Sequence, residues 1–172
     1  MRRAATGEHP PSDPRRLTRE PLPDYAFLPG RDPHPTSDPR GHSYGRASPA
    51  PVWCAAEDWQ ACYPYLRGCD LFNHGYWWEA HEAWEPLWRG CRRDSVQAHF
   101  IQGLIQAANA LLKRRMVRAR AVERLRRAAD QHLAAVRGEV YMGLDVARWR
   151  AALDHCLRTG AREWPLLELH DL

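Results

Sequence analysis

Residues 71–88 read LFNHGYWWEAHEAWEPLW, and this stretch decides how the chain is expected to fold. Its apolar residues recur every three to four positions, which is the spacing of one face of an α-helix. His81, Glu82 and Glu85 are threaded among its large aromatic side chains. Burial of such polar groups is costly unless they are paired, hydrogen-bonded or bound to a metal. The stretch therefore predicts an amphipathic helix that carries either a polar site or a solvated edge.

Helical spacing continues on both sides of this stretch, and no alternating strand pattern appears. We therefore predict an all-α fold, a compact single-domain bundle of about five helices with short connections. The predicted helices cover about 55–73, restarting at Pro64 and ending at Gly75; 76–89; 95–115; 118–137, closed by Gly138; and 145–157, with Asp145 as N-cap and Gly160 after its end.

The first 51 residues differ from the rest, because they contain eleven of the fourteen prolines. We predict that residues 1–51 form a Pro-rich irregular arm, disordered or wrapped on the domain, and that residues 52–172 form the helical domain. A fully solvated linker would not need Tyr25 or Phe27, so part of the arm is expected to lie against the domain. An arm that folds over the site would bring His34 or His42 to it as a distal ligand.

Composition narrows the class of protein. The five cysteines are an odd number with no CxxC pair, which predicts reduced, packing residues. No signal peptide and no apolar run of membrane-spanning length is present, so we predict a cytoplasmic protein that does not contact a membrane. The net charge is only +4, with Lys113 the single lysine, and nucleic acid is not the expected partner.

On the predicted second helix, His81 and Glu85 lie one turn apart at the edge of the apolar arc, whereas Glu79 projects farthest from it. Side chains at positions i and i+4 can converge on one ion, and imidazole with carboxylate suits zinc, iron, manganese or nickel. Glu82 is then a general base or a further ligand. The simpler explanation is an amphipathic helix whose glutamates pair with arginines.

The motif HEAWE resembles HExxH with its second histidine replaced by glutamate, so zincin chemistry cannot be carried over. We find no nucleophile motif, phosphate-binding loop or dinucleotide fingerprint. A metal site here needs a third ligand from elsewhere.

The predicted third helix carries a polar stripe opposite its apolar side, formed by His99, Gln102, Gln106 and Asn109. Solvated helix faces usually carry charged residues, whereas amides one turn apart are suited to orienting a carboxylate, water or substrate in a cleft. The alternative is that these glutamines are present because glutamine is a good helix former, and that the stripe is an ordinary solvent-exposed face.

The blocks LFNHGYWWEAHEAWEPLW and FIQGLIQAANALLKRR, followed by a Gly143-Leu144-Asp145 turn, resemble the bacterial family catalogued as domain of unknown function 309 over about residues 60–158. This resemblance implies an all-helical single domain, and some members are labelled predicted metal-dependent hydrolases. One departure is RRMVRARA at 114–121, where relatives tend to have Gly-Asn and Gly-Ala pairs. The family's motif residues fall here on Phe72, Asn73, Gly75, Glu79, His81, Glu82, Glu85, Trp88, Gln102, Gly103, Leu104 and Gln106.

Together these features predict a polar cleft between the second and third helices that binds a divalent metal or a small polar ligand. His81 and Glu85 are the expected metal ligands, Glu82 the expected base, and hydrolysis the expected chemistry. The competing hypothesis is a non-catalytic binding or scaffolding module for a protein partner, in which the His/Glu/Gln cluster is a structural network. The remaining residues assigned to the cleft are Gln102, Gln106, Glu79, Asn73 and His99.

Overall fold

The computed structural model describes residues 13–170 of the chain. Its elements are a short 3-10 helix (Ala56–Ala61), α1 (Tyr63–Asn73), α2 (Trp77–Gly90), α3 (Val96–Arg115), α4 (Ala119–Ala134), strands β1 (Val140–Tyr141) and β2 (Leu144–Asp145), and α5 (Val146–Thr159). Five packed helices confirm the predicted all-α bundle. None of the described helices combines the length and apolarity that a membrane crossing requires.

The antiparallel pair α1 and α2 meets at a glycine. A Cβ placed on Gly68 would lie 2.1 Å from the indole nitrogen of Trp84, so no other residue fits this crossing. The Trp84 indole donates a hydrogen bond to the Tyr65 carbonyl at 3.2 Å. Both aromatic side chains are fully buried, and their contact sets the angle at which α2 presents its outer face.

Helix α3 runs through the centre of the bundle and packs against both α2 and α4. Ser95 caps its N-terminus, and the Ser95 hydroxyl accepts a hydrogen bond from the Ala98 amide at 3.1 Å. Gly103 allows α4 to approach closely, because a Cβ there would lie 2.7 Å from the Leu133 side chain. The apolar arc of α3 is therefore fully covered by its neighbours.

The last helix has the predicted ends. The Asp145 carboxylate accepts a hydrogen bond from the Arg148 amide at 3.0 Å, and Gly160 takes the left-handed conformation after Thr159. The five cysteines are free thiols, as predicted.

Two details of the prediction were wrong. Helix α4 ends at Ala134, so Gly138 does not close it and instead lies in the following connection with φ 110°. That connection leads into a small antiparallel hairpin that the sequence pattern did not reveal, formed by β1 and β2. The hairpin is attached to the core by a hydrogen bond, because the buried Tyr65 hydroxyl donates to the Met142 carbonyl at 2.9 Å.

The described part of the Pro-rich arm lies on α1 and α2. The buried Asp70 carboxylate accepts the amide hydrogens of Leu17 and Thr18 at 2.7 and 2.8 Å, and the Arg67 guanidinium donates to the carbonyls of Glu20 and Pro21. Phe27 is buried. Residues 44–53 then cross the surface, exposed throughout, to the 3-10 helix.

Candidate functional site

The donor atoms of His81, Glu82 and Glu85 converge on the outer face of α2. One ligand atom from each residue lies within 4.8 Å of the others. His81 Nε2 is 3.8 Å from Glu85 Oε2, and His81 Nδ1 is 4.0 Å from Glu82 Oε1. We call these three residues the α2 triad. Helical geometry produces the convergence directly, since positions 81, 82 and 85 share one side of the cylinder.

The environment of the α2 triad favours the neutral forms of two of its members. Partial burial lowers the pKa of His81, although the nearby Glu85 carboxylate opposes this effect. Burial, with the charges of Glu85 and Glu79, raises the pKa of Glu82, while Arg89 acts in the opposite direction. Neutral imidazole is the form that ligates metals. A cation would relieve the repulsion that raises the pKa of Glu82.

None of the hydrogen bonds and ion pairs found in residues 13–170 joins the α2 triad to another element. Its contacts run within the triad and to Arg89, whose Nε is 3.7 Å from Glu85 Oε1 in the same helix. The side chains keep 27%, 43% and 39% of their surface exposed in sequence order. Packing of the bundle therefore does not account for the convergence.

Glu79 was expected to project farthest from the core, but its side chain is only 5% exposed. The arm covers it. Glu79 Oε1 accepts the Phe27 amide hydrogen at 2.9 Å and lies 3.0 Å from His42 Nε2. The helical projection was correct for α2 alone, and the arm forms a second layer over the side that faces away from the bundle.

The two arm histidines take different positions. His42 reaches Glu79 rather than the α2 triad. The His34 ring lies against Phe27 and Trp78, with centroids 5.2 and 5.6 Å apart. The arm thus forms an aromatic wall at Trp78, the residue that lies one turn before Glu82 on α2.

The predicted partners from other elements are dispersed. Gln102 and Gln106 are half-buried on α3, and neither forms a hydrogen bond to the α2 triad in the described structure. His99 Nδ1 instead lies 3.0 Å from His132 Nδ1 of α4. Asn73 exchanges two hydrogen bonds with the backbone of Leu167, at 2.7 and 3.1 Å. His99 and Asn73 therefore join elements of the fold.

Sequence reasoning missed the buried charges that hold the arm. Asp70 has no exposed side-chain surface, and Arg16 Nε lies 3.3 Å from Asp70 Oδ2. Asp70 and Arg67 stand in the first predicted helix among apolar residues, which is a signal that charged groups within a buried stretch need partners. The partners lie more than 40 positions away, so the pattern did not identify them.

The family model of a domain of unknown function (DUF309) matches residues 65–125. This part of the chain is similar to a DUF309 domain. It covers most of α1, all of α2 and α3, and the start of α4, so it contains the complete α2 triad but none of the arm. The match is shorter than the 60–158 expected from resemblance. Comparison with curated proteins and with solved structures gave no significant match.

Proposed function

We propose that the helical domain binds a divalent metal ion through His81 and Glu85 and that the protein is a metal-dependent hydrolase. The observation that carries this proposal is the convergence of three donor atoms within 4.8 Å, with no hydrogen bond or ion pair to another element among residues 13–170. One imidazole and two carboxylates form a donor set that suits zinc, manganese or iron.

The spacing of the donors fits a single ion after a small adjustment. Two ligands at about 2.1 Å from one ion can lie at most about 4.2 Å apart. His81 Nε2 and Glu85 Oε2 already lie within this limit at 3.8 Å, whereas Glu82 could join them as a third ligand only after the 4.8 Å spread closes by roughly half an ångström or more. Side chains with a quarter or more of their surface exposed have the rotamer freedom for such a movement.

Each residue has a proposed role. A divalent cation held there would supply Lewis-acid activation of a hydrolysable substrate. His81 and Glu85 hold the ion. Glu82 acts as general base, because its carboxylate lies beside both proposed ligands within the 4.8 Å cluster. Gln102 and Gln106, half-buried on the neighbouring helix, are proposed to orient a polar substrate.

Metal analysis tests the binding step. We expect about one equivalent of zinc or manganese in the full chain purified without chelator, because one triad makes one site. His81→Ala and Glu85→Gln should lose it. The exposed residues His155 and Glu139 supply matched controls, and His155→Ala and Glu139→Gln should keep the metal. A stoichiometry near zero in the wild type as well as in both site variants would rule out the metal site.

Turnover tests the hydrolytic step separately. The metal-loaded protein should cleave chromogenic phosphate esters, and Glu82→Gln should retain the metal while losing about 100-fold or more in rate. Metal binding without any turnover would leave a metal-binding protein and exclude the hydrolase.

The alternative function is a non-catalytic binding module for a protein partner. Its supporting observation is the exposure of large aromatic side chains, with Trp53 68% and Trp88 40% exposed. Such residues are enriched at protein interfaces. If the wild type holds no metal, and Trp53→Ala and Trp88→Ala leave stability unchanged, this alternative takes precedence.

A further inference from the structure

The arm places a serine, a histidine and a glutamate in one hydrogen-bonded row. Ser43 Oγ lies 2.9 Å from His42 Nδ1, and His42 Nε2 lies 3.0 Å from Glu79 Oε1. The order hydroxyl, imidazole, carboxylate is the arrangement that activates a serine nucleophile. This row is separate from the α2 triad, and it involves no metal ligand.

The hydrogen-bond partners determine which imidazole nitrogen carries the proton. A carboxylate oxygen only accepts, so Nε2 of His42 must donate to Glu79. The neutral ring then has its lone pair on Nδ1, which faces the Ser43 hydroxyl. His42 is therefore held in the tautomer that can take a proton from Ser43.

Burial strengthens the pairing of the imidazole with Glu79. The His42 and Glu79 side chains are 7% and 5% exposed. Glu79 Oε1 accepts from Phe27 and His42, while its buried Oε2 has no hydrogen-bond partner in the described structure. A positive charge that forms on His42 would meet a carboxylate with spare acceptor capacity in a low-dielectric setting.

The backbone around Ser43 is fixed. Its amide donates to the Pro35 carbonyl at 3.0 Å. A Cβ at Gly41 would lie 2.3 Å from the carbonyl oxygens of His34 and Pro35, so only glycine fits there. Gly45 has φ 73°. The segment GHSYG has the spacing G-x-S-x-G, although it lies in an irregular arm and not at the strand-to-helix turn where that motif usually presents its serine.

We propose that Ser43 is an acylatable nucleophile, with His42 as its base and Glu79 as the positioning residue, and that its substrates are small carboxylic esters. Ser43 Oγ forms a bond to the acyl carbon, the bond to the alcohol oxygen breaks, and the serine proton passes through His42 to the leaving alcohol. Water then attacks the acyl carbon, releases the acid and restores the serine.

A fluorophosphonate probe tests this proposal on the full chain. The Ser43 oxygen bonds to phosphorus, fluoride leaves, and the serine proton moves to His42. We expect mass spectrometry of the digested protein to find one adduct, on Ser43, formed at least 100-fold faster than any on the exposed arm residues Ser37 and Ser48. Ser43→Ala should abolish it, whereas Ser48→Ala should not change it.

The other two residues are tested by rate and by rescue. His42→Gln should slow labelling about 100-fold. Glu79→Gln should slow it less, and Glu79→Asp should recover part of the rate without recovering the melting temperature, a split that a purely structural role in holding the arm would not produce. Labelling of Ser43 no faster than of Ser48 in the folded wild type would overturn the proposal, and this comparison does not depend on any variant folding.

Discussion

The two sides of α2 give similar carboxylates different environments. Glu79 lies under the arm and bonds the Phe27 amide and His42, both far away in the chain. Glu82 lies less than one turn later and is 43% exposed, and within residues 13–170 its ion pair is with His81 of the same helix. A carboxylate whose partners are distant in the sequence stabilises the fold and orients those partners. A carboxylate that converges with others without such partners is available to a ligand.

The largest change in stability is expected from removing the Asp70 carboxylate, which binds the arm on the side of the bundle that the arm covers. Asp70→Asn should lower the free energy of unfolding by about 3 kcal/mol, because the amides of Leu17 and Thr18 lose a charged acceptor inside the protein. Denaturant unfolding measures the loss, and hydrogen exchange at residues 17 and 18 should speed up. The exposed residue Asp58 supplies the control Asp58→Asn, which should change little. Equal stability of the two variants would contradict the structural role of the arm contacts.

A matched pair of substitutions compares the two sides directly. Glu79→Gln should cost about 1–2 kcal/mol, or roughly 3–6 °C in melting temperature, because it weakens two bonds to the arm. Glu82→Gln should stay within about 0.5 kcal/mol of the wild type or gain stability, because it removes like-charge repulsion. If the order is reversed, the α2 triad is a structural network.

The smallest effect concerns pH. Burial and the charge of His99 lower the pKa of His132 below the ordinary histidine value of 6.5. Between the two pKa values, His132 is therefore protonated to a greater extent in the unfolded chain than in the folded protein. Stability from this group is complete above pH 6.5 and falls as the pH drops from there toward the lower folded pKa.

Thermal unfolding between pH 7.5 and pH 5 should show this decline, and His132→Gln should reduce its slope. The pKa of His81 is also lowered, so His81→Gln should reduce the slope as well. Slopes that do not change in either variant would contradict this explanation.

The local features of the fold were predictable from the sequence. Periodicity located α1 to α5, and the short-range chemistry of Asp145 and Gly160 located both ends of α5. The convergence of His81, Glu82 and Glu85 also follows from spacing within one helix. These features depend on residues a few positions apart, and a single sequence contains that information.

The remaining features depend on long-range contacts. Glu79 was misplaced because its partners Phe27 and His42 lie 52 and 37 positions away. His99 was assigned to the cleft, and its pairing with His132 depends on the close packing of α3 on α4 at Gly103. Helical projection identifies an outward side chain, but it cannot identify what covers that side chain.

The arm is anchored largely through its own main chain, since Asp70, Arg67 and Glu79 bond to backbone amides and carbonyls of residues 17–27. Every residue supplies the same main-chain carbonyl acceptor, and every residue except proline also supplies an amide N–H donor. Side chains along much of this segment can therefore be exchanged without loss of the anchor. Removal of residues 1–51 has the opposite effect. The carboxylates of Asp70 and Glu79 and the guanidinium of Arg67 would then face water on a surface that the arm buries in the full chain.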